Sequence, residues 1–495
     1  MATPAVILLE RSGRIPGPLP PEMISNREKP QLLRRLNLLD TTFLVIGAVV
    51  GSGIFMTSGH ILEFLPSPGW LLLVWLAGGL FALGGALSCA ELGAMYPQAG
   101  GQYIYIREAY GSFAGYLYGW GFFWFIMGGG IAALAVGFAE FFGYFVPSLS
   151  TQSVFLKITI GGFSYSLSAG QLVAAASIVL LTAVNYFGVK SGAVVQNIFT
   201  FLRLGSVLAL VVMGLTVGKR AGITSVQELF SGGPEVGPQT MTLFGLALIA
   251  ALWTYDGWYS VNCTAEEIKR PERNIPLGLV LGTLSVMGTY LLVNAVYVLA
   301  LPVDKMRGVT RVGELVSSQL FGPIATAVIS GAIAVSIFGC LSANILFGPR
   351  VYLAMAEDRL FFRSMSHIHP RYHVPSKALI GQAAWSCLLC LSGTYQDLYE
   401  FVVFALVIFF MATGLAVIVL RRKRPHLPRP YRTWGYPAVP ILFSLVNLLI
   451  FLNTVISEPR KSVFGLLLLG LGVPAYFYWK GKARAGSFRR KGVLK

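Results

Sequence analysis

Gly47-Ala48-Val49-Val50-Gly51-Ser52-Gly53-Ile54-Phe55 sets three glycines near the middle of an apolar run that extends from about residue 40 to 64. Crossing a lipid bilayer takes on the order of 20 apolar residues in a helix, because lipid leaves every backbone N–H and C=O to be satisfied within the segment. Glycine weakens a helix interior by roughly 1 kcal/mol relative to alanine. A span with three of them at mid-depth is therefore one prepared to unwind, and the peptide groups it frees must bind something. Small residues spaced by four also allow close helix packing in membranes, so the stretch by itself leaves two readings open.

A second stretch, Trp253-Thr254-Tyr255-Asp256-Gly257-Trp258, sets an ionisable residue beside a glycine at comparable depth in another apolar run. Further runs lie near 69–93, 112–146, 169–187, 194–217, 241–264, 275–300, 321–348, 378–394, 396–420, 437–456 and 462–479, which makes twelve expected spans with the first. Each interrupted segment opens a block of five spans, 40–217 and 241–420. Five is odd, so the second block enters the membrane from the opposite side and the two form an inverted repeat. Two spans at 437–479 and a basic tail at 480–495 complete the expected organisation. Paired, Gly-interrupted segments at corresponding positions of two halves point to a transporter's binding site. The N-terminus of a half-helix carries partial positive charge and suits a carboxylate, while carbonyls at the end of the other half suit an ammonium group. An α-amino acid carries both.

Composition agrees with an all-α polytopic membrane protein. The chain is 55% hydrophobic and 12% charged, with a mean hydropathy of +0.68, whereas soluble domains carry roughly 25% charged residues. The formal net charge of +17 raises nucleic acid as a partner, but its placement argues for the lipid bilayer instead. Lys and Arg concentrate at Lys269 to Arg273, Arg350 to Lys377, Arg421 to Arg432 and Lys480 to Lys495, in loops that fall on one side, as cytoplasmic loops do. Residues 1–39 are polar, basic and Pro-bearing, without a short apolar region before a small-residue cleavage site. They are expected to form a cytoplasmic tail, with both termini inside the plasma membrane. The five cysteines lie in or beside apolar runs, so no structural disulfide is expected. Cys387 and Cys390 have C-x-x-C spacing inside a span without His or acidic neighbours, which favours packing over metal binding. No cofactor or metal is expected.

At these stretches the sequence resembles the amino acid, polyamine and organocation transporter superfamily, and within it bacterial relatives of the L-type amino acid transporters. The matching stretches are GAVVGSGIF (47–55), AELGAMYPQAGGQYIYIREAYG (90–111), TYDGW (254–258), EEIKRPERNIP (266–276), HIHPRYHVPSKALI (367–380) and RRKRPHLPRPYRTWGYPAVP (421–440). The resemblance implies the LeuT-like fold, with unwound first and sixth helices and alternating access. It also implies that backbone N–H groups of Gly51, Ser52 and Gly53 hold the substrate carboxylate, that carbonyls of Val49, Trp253 and Asp256 meet the amino group, and that Trp253 is an aromatic gate. Ile54, Thr254 and Gly257 complete the expected substrate-binding set. Animal L-type carriers join a heavy-chain glycoprotein through a cysteine in the loop after the third span. The corresponding loop, roughly 147–168, has none, so no disulfide-linked heavy-chain subunit is expected.

Ionisable groups inside spans are costly and are functional hypotheses by default. Arg203 lies well inside the fifth span, where the L-type relatives usually carry a lysine in the place of the sodium of sodium-coupled cousins. Two positive charges sharing one low-dielectric site repel, and arginine keeps its proton at any physiological pH. Arg203 is therefore expected to be a fixed structural cation, which favours sodium-independent exchange or facilitated uniport of L-amino acids over proton symport. Asp256 is expected either to pair with Arg203, the preferred reading, or to sense a cationic substrate side chain. Cys340 and Asn344, four apart and so on one helix face, occupy positions where relatives use small polar residues near that cation. The rival within transporters is a proton-coupled amino acid or polyamine permease. A polytopic membrane enzyme would need an acid–base pair, nucleophile or metal cluster at one face, and His367, His369 and His373 read instead as a solvated loop.

Overall fold

Asn37 starts the first helix, α1 (Leu38–Val49), with a reciprocal cap: its side chain accepts from the Asp40 amide at 2.9 Å, and the Asp40 carboxylate accepts from the Asn37 amide at 3.0 Å. The helix stops at Val50, whose backbone is extended, and α2 (Gly53–Phe64) resumes at an angle of 43°. The first span is thus broken where its glycines lie. The computed structural model describes residues 31–160, 163–216, 233–392, 395–457 and 459–492, with positions 222, 223, 225, 228 and 229. Most of the N-terminal segment, residues 1–30, lies outside the described residues. From Leu32 to Lys495 the chain forms a single compact unit.

The chain then runs through α3 (Pro68–Met95), a short and mostly buried helix α4 (Gln102–Tyr110), α5 (Ser112–Gly121), a π-helical turn at Phe122–Met127 and α6 (Gly128–Phe145). After the antiparallel strands β1 (Val154–Ile160) and β2 (Phe163–Ser168) come α7 (Ala169–Tyr186), α8 (Val189–Thr216) and α9 (Pro238–Thr254). The last of these gives way to tight 3-10 winding over Trp258–Glu267. Next are α10 (Pro271–Ala300), α11 (Val312–Phe321), α12 (Pro323–Glu357), α13 (Ser376–Ser392), α14 (Tyr395–Lys423), α15 (Ala438–Ser457), α16 (Pro459–Gly470) and α17 (Gly472–Gly492). Among the described residues nine helices are long and apolar enough to cross a membrane, and the broken pair α1 and α2 makes a tenth. The molecule is an all-α multi-pass membrane protein.

Two expected spans depart from that length test for physical reasons. The run at 241–264 is a 17-residue helix followed by 3-10 turns, because the chain unwinds at Asp256–Gly257. The run at 378–394 is a 17-residue helix, α13. The expected loop at 147–168 contains a β-hairpin, and helix extends to Gly492 through most of the expected tail at 480–495.

Successive crossings define two faces. On the first, where Asn37 lies, ionic groups knit the helix ends together. Arg350 holds Glu267 with two hydrogen bonds of 2.8 and 2.9 Å, both side chains almost wholly buried. The Arg35 and Leu36 amides both donate to the Glu267 carbonyl, and the Lys269 amide donates back to Leu36. Glu91 receives Arg421 at 2.7 and 2.9 Å and the Thr433 amide at 2.7 Å. Arg107 and Tyr103 both bind Asp358. On the second face Arg311 approaches Glu140 and Glu314 only to 3.7 Å.

Candidate functional site

Glycine lets the two broken segments approach each other. Gly257 has φ of +105°, and a Cβ there would stand 2.7 Å from the Ala48 carbonyl oxygen, so the residue is glycine for both its conformation and the approach of the first break. A Cβ on Gly53 would meet the Thr254 side chain at 2.6 Å. A Cβ on Gly47 would run into Gln196 and Thr200 of α8. Gly47 therefore serves helix packing, while Gly53 and Gly257 bring the two unwound segments together. The halves pack in crossed fashion: α9 lies against α2, and the 3-10 segment lies against α1.

Between the breaks is a cavity of about 60 Å³. The first break contributes Ala48, Val49, Gly51, Ser52 and Gly53, and the second contributes Trp253, Thr254, Asp256, Gly257 and Tyr259. The rest of the wall is Ile126, Met127, Gly130 and Leu134 from the third span, with Cys340 and Asn344 from α12. In the first turn of α2 the Phe55 amide donates to the Ser52 carbonyl at 3.0 Å, but the Gly53 and Ile54 N–H groups have no intrahelical acceptor and the Ser52 side chain does not cap them. They are donors at the cavity edge. Cys340 Sγ contacts the Ala48 carbonyl at 3.0 Å, and the Asn344 amide donates to the Cys340 carbonyl at 2.9 Å. Of the expected binding set Ile54 alone is absent from the lining. It is fully buried, and its carbonyl accepts from the Tyr297 hydroxyl at 3.4 Å.

Arg203 is buried behind the first break. Its guanidinium donates to the carbonyls of Gly47 at 3.1 Å and Ile46 at 3.4 Å, and to that of Ser336 in α12. Gly339 makes the room, since a Cβ there would lie 2.6 Å from Nη2. The expected ion pair with Asp256 does not form. The two terminal nitrogens of the cation are held by carbonyl dipoles, those at the C-terminal end of α1 being negative, while Nε is buried without a hydrogen-bond partner among the described residues, and Asp256 faces the cavity on the other side of the break. Its Oδ1 is buried without a hydrogen-bond partner among the described residues.

Sequence reasoning passed over Tyr290. Its hydroxyl lies 3.2 Å from the Val49 carbonyl and 3.1 Å from that of Thr254, so one side chain of α10 reaches the C-terminal ends of both broken helices. The only signal was a phenol in the middle of a span, where a polar tip must find a partner. Thr57 and Thr254 add a direct link, with their hydroxyls 2.9 Å apart.

The amino acid permease family profile matches residues 36–470. The serine/threonine exchanger SteT of Bacillus subtilis (strain 168) is 31% identical over 455 residues, which cover 91% of this chain and 97% of the exchanger. The b(0,+)-type amino acid transporter 1 of Mus musculus is 28% identical over 451 residues, covering 90% and 88%. The cystine/glutamate transporter of Homo sapiens is 27% identical over 480 residues, covering 95% and 91%. Similarity of this extent spans both helix breaks and every wall of the cavity between them, and the chain belongs to the amino acid permease family.

Proposed function

We propose that this protein is a sodium-independent amino acid exchanger of the plasma membrane, working by alternating access, with both termini cytoplasmic. The observation that carries the reading is that two helix breaks, from blocks of opposite orientation, open on one cavity. The substrate carboxylate sits on the N–H groups of Gly51, Ser52 and Gly53, where the start of α2 is positive. The ammonium group sits among the carbonyls of Val49, Trp253 and Asp256. Val49 accepts from Tyr290 and, with two lone pairs, retains one for the substrate. Trp253 closes over the bound molecule, and Cys340 and Asn344 complete the opposite wall. The Bacillus subtilis relative is a serine/threonine exchanger and the mammalian relatives are amino acid transporters, which supports this direction of reading.

Arg203 supports sodium independence. Carbonyls of α1 and α12 converge as they would on a bound cation, and the guanidinium fills the position with a charge that never leaves. No disulfide-linked subunit is needed for this cycle, and the loop at 147–168 offers no cysteine for one. A second reading, proton coupling, is favoured by Asp256: a buried carboxylate with an unpartnered oxygen beside the substrate is placed to carry a proton through the cycle.

The test is uptake of labelled L-amino acids into proteoliposomes without sodium, with and without internal amino acid and with and without an inward proton gradient. Uptake that requires internal substrate and ignores the gradient is the expected result. Gradient-driven uptake into empty vesicles, abolished by Asp256→Asn, would replace exchange with symport.

A further inference from the structure

A substrate held at its carboxyl and amino groups by the two breaks directs its side chain toward whatever wall remains. Here that wall is Ile126, Met127, Gly130 and Leu134 of the third span with Cys340 and Asn344 of α12. Ile126, Gly130 and Leu134 are spaced by four and form one stripe. The π-helical turn Phe122–Met127, which ends just before α6, adds a residue to the preceding turn and brings Met127 to the cavity beside Ile126.

The three consecutive glycines at the start of α6 are not equivalent. A Cβ on Gly128 would lie 2.7 Å from the Trp385 ring and 2.8 Å from the Phe123 carbonyl oxygen, so Gly128 admits the indole that donates to the Trp124 carbonyl at 3.0 Å. Gly128 is a packing glycine. Gly130 lines the cavity, and a Cβ there would meet nothing within 4 Å. In a stripe otherwise built of isoleucine and leucine, it is the one gap.

We propose that the space at Gly130 is the seat of the substrate side chain and makes this carrier selective for small amino acids of the size of glycine, alanine, serine and threonine. The inference rests on the amino acid reading above and adds the side-chain class to it. The cavity itself is compact, about 60 Å³, and the gap in its wall is one residue wide. Ile126 and Leu134, one turn to either side of Gly130 in the same stripe, bound the gap. Asn344, whose amide is committed to the Cys340 carbonyl, is the polar group of that wall and serves a side-chain hydroxyl better than a hydrocarbon.

The experiment measures kcat/KM for glycine, alanine, serine, threonine, leucine, phenylalanine and arginine in proteoliposomes of wild type, Gly130→Val, Leu134→Ala and the control Gly288→Ala. Gly288 lies in α10 with open space around its Cα and off the cavity. Wild type is expected to take the four small substrates and to reject leucine, phenylalanine and arginine. Gly130→Val is expected to lower threonine and serine by about tenfold or more while glycine stays within about threefold, since a misplaced methyl-sized group in a pocket costs on the order of 10–200-fold. Leu134→Ala is expected to admit leucine, which tests the same wall in the opposite direction should the valine variant fail to fold. Wild type that moves no amino acid overturns the transport reading itself. Wild type that moves phenylalanine as well as alanine overturns small-substrate selection. A uniform loss in Gly130→Val with no gain of leucine in Leu134→Ala overturns the assignment of Gly130 and leaves the transport reading standing.

Discussion

Gly257 and Arg203 show how much of the site depends on single residues. Any side chain at Gly257 must adopt the left-handed region, at about 1–2 kcal/mol, and must also push back the Ala48 carbonyl 2.7 Å from its Cβ. Gly257→Ala is therefore expected to lower stability by about 2 kcal/mol or more and to abolish uptake, read by thermal unfolding in detergent together with counterflow in vesicles. A wild-type melting profile would show that the break relaxes without cost. Arg203 is different in kind, because its hydrogen bonds go to carbonyls and no carboxylate pairs with it among the described residues. Arg203→Gln leaves those of Ile46, Gly47 and Ser336 converging on a neutral group and is expected to cost on the order of 2–3 kcal/mol. Arg203→Lys, which keeps the charge but not the forked geometry, is expected to retain part of the activity. Equal loss in both variants would mean that shape, not charge, matters at this position.

At the scale of elements the broken helices are held as a pair by Tyr290 of α10. Its hydroxyl touches the ends of both, so Tyr290→Phe is expected to cost about 1 kcal/mol of stability while leaving the aromatic packing with Trp75 and Tyr255 in place. A change in exchange rate larger than that in melting temperature, measured on the same preparation, would mark the hydroxyl as part of the moving joint. This element-level pairing is where the sequence was least legible. The glycines and the span lengths could be read because lipid imposes a simple rule on every helix. Tyr290 could not be singled out, because which face of a helix meets the cavity depends on rotation about its axis, and a helix buried on several sides carries no clear polar stripe. Asp256 and Arg203 were expected to pair and do not, for the same reason: position along two helices says nothing of which side of the unwound segment each side chain occupies. The hairpin β1–β2 was read as loop although Val154 to Ile160 is rich in strand-forming residues.

For the whole molecule, the contrast between faces argues a direction of closure. The first face is sealed by the buried, doubly hydrogen-bonded Glu267–Arg350 pair and by main-chain bonds from Arg35 and Leu36 to the end of the 3-10 segment. On the second face the Arg311 contacts are long and partly exposed, and the short His60–Glu63 contact lies at the surface. Alternating access requires the tight seal to part in each cycle, and Glu267 stands where the sixth span leaves the membrane, next to the segment that must move. Glu267→Gln strands the Arg350 guanidinium in a buried site, a loss on the order of 3–5 kcal/mol when one partner of such a pair is removed. Opening of the first face relieves that cost by admitting water, so the variant is expected to populate the first-face-open state. Cys263, buried in the 3-10 segment against Gly101, is a native reporter of that opening. Its labelling by a water-soluble maleimide, followed by peptide mapping, is expected to be slow in wild type and faster by about tenfold or more in Glu267→Gln, a shift of roughly 1.4 kcal/mol in the opening equilibrium. The double variant Glu267→Gln with Arg350→Met removes the stranded charge and is expected to return labelling toward the wild-type rate. Equal labelling in wild type and the single variant would place the seal elsewhere, with Glu91–Arg421 and Arg107–Asp358 the next pairs to break.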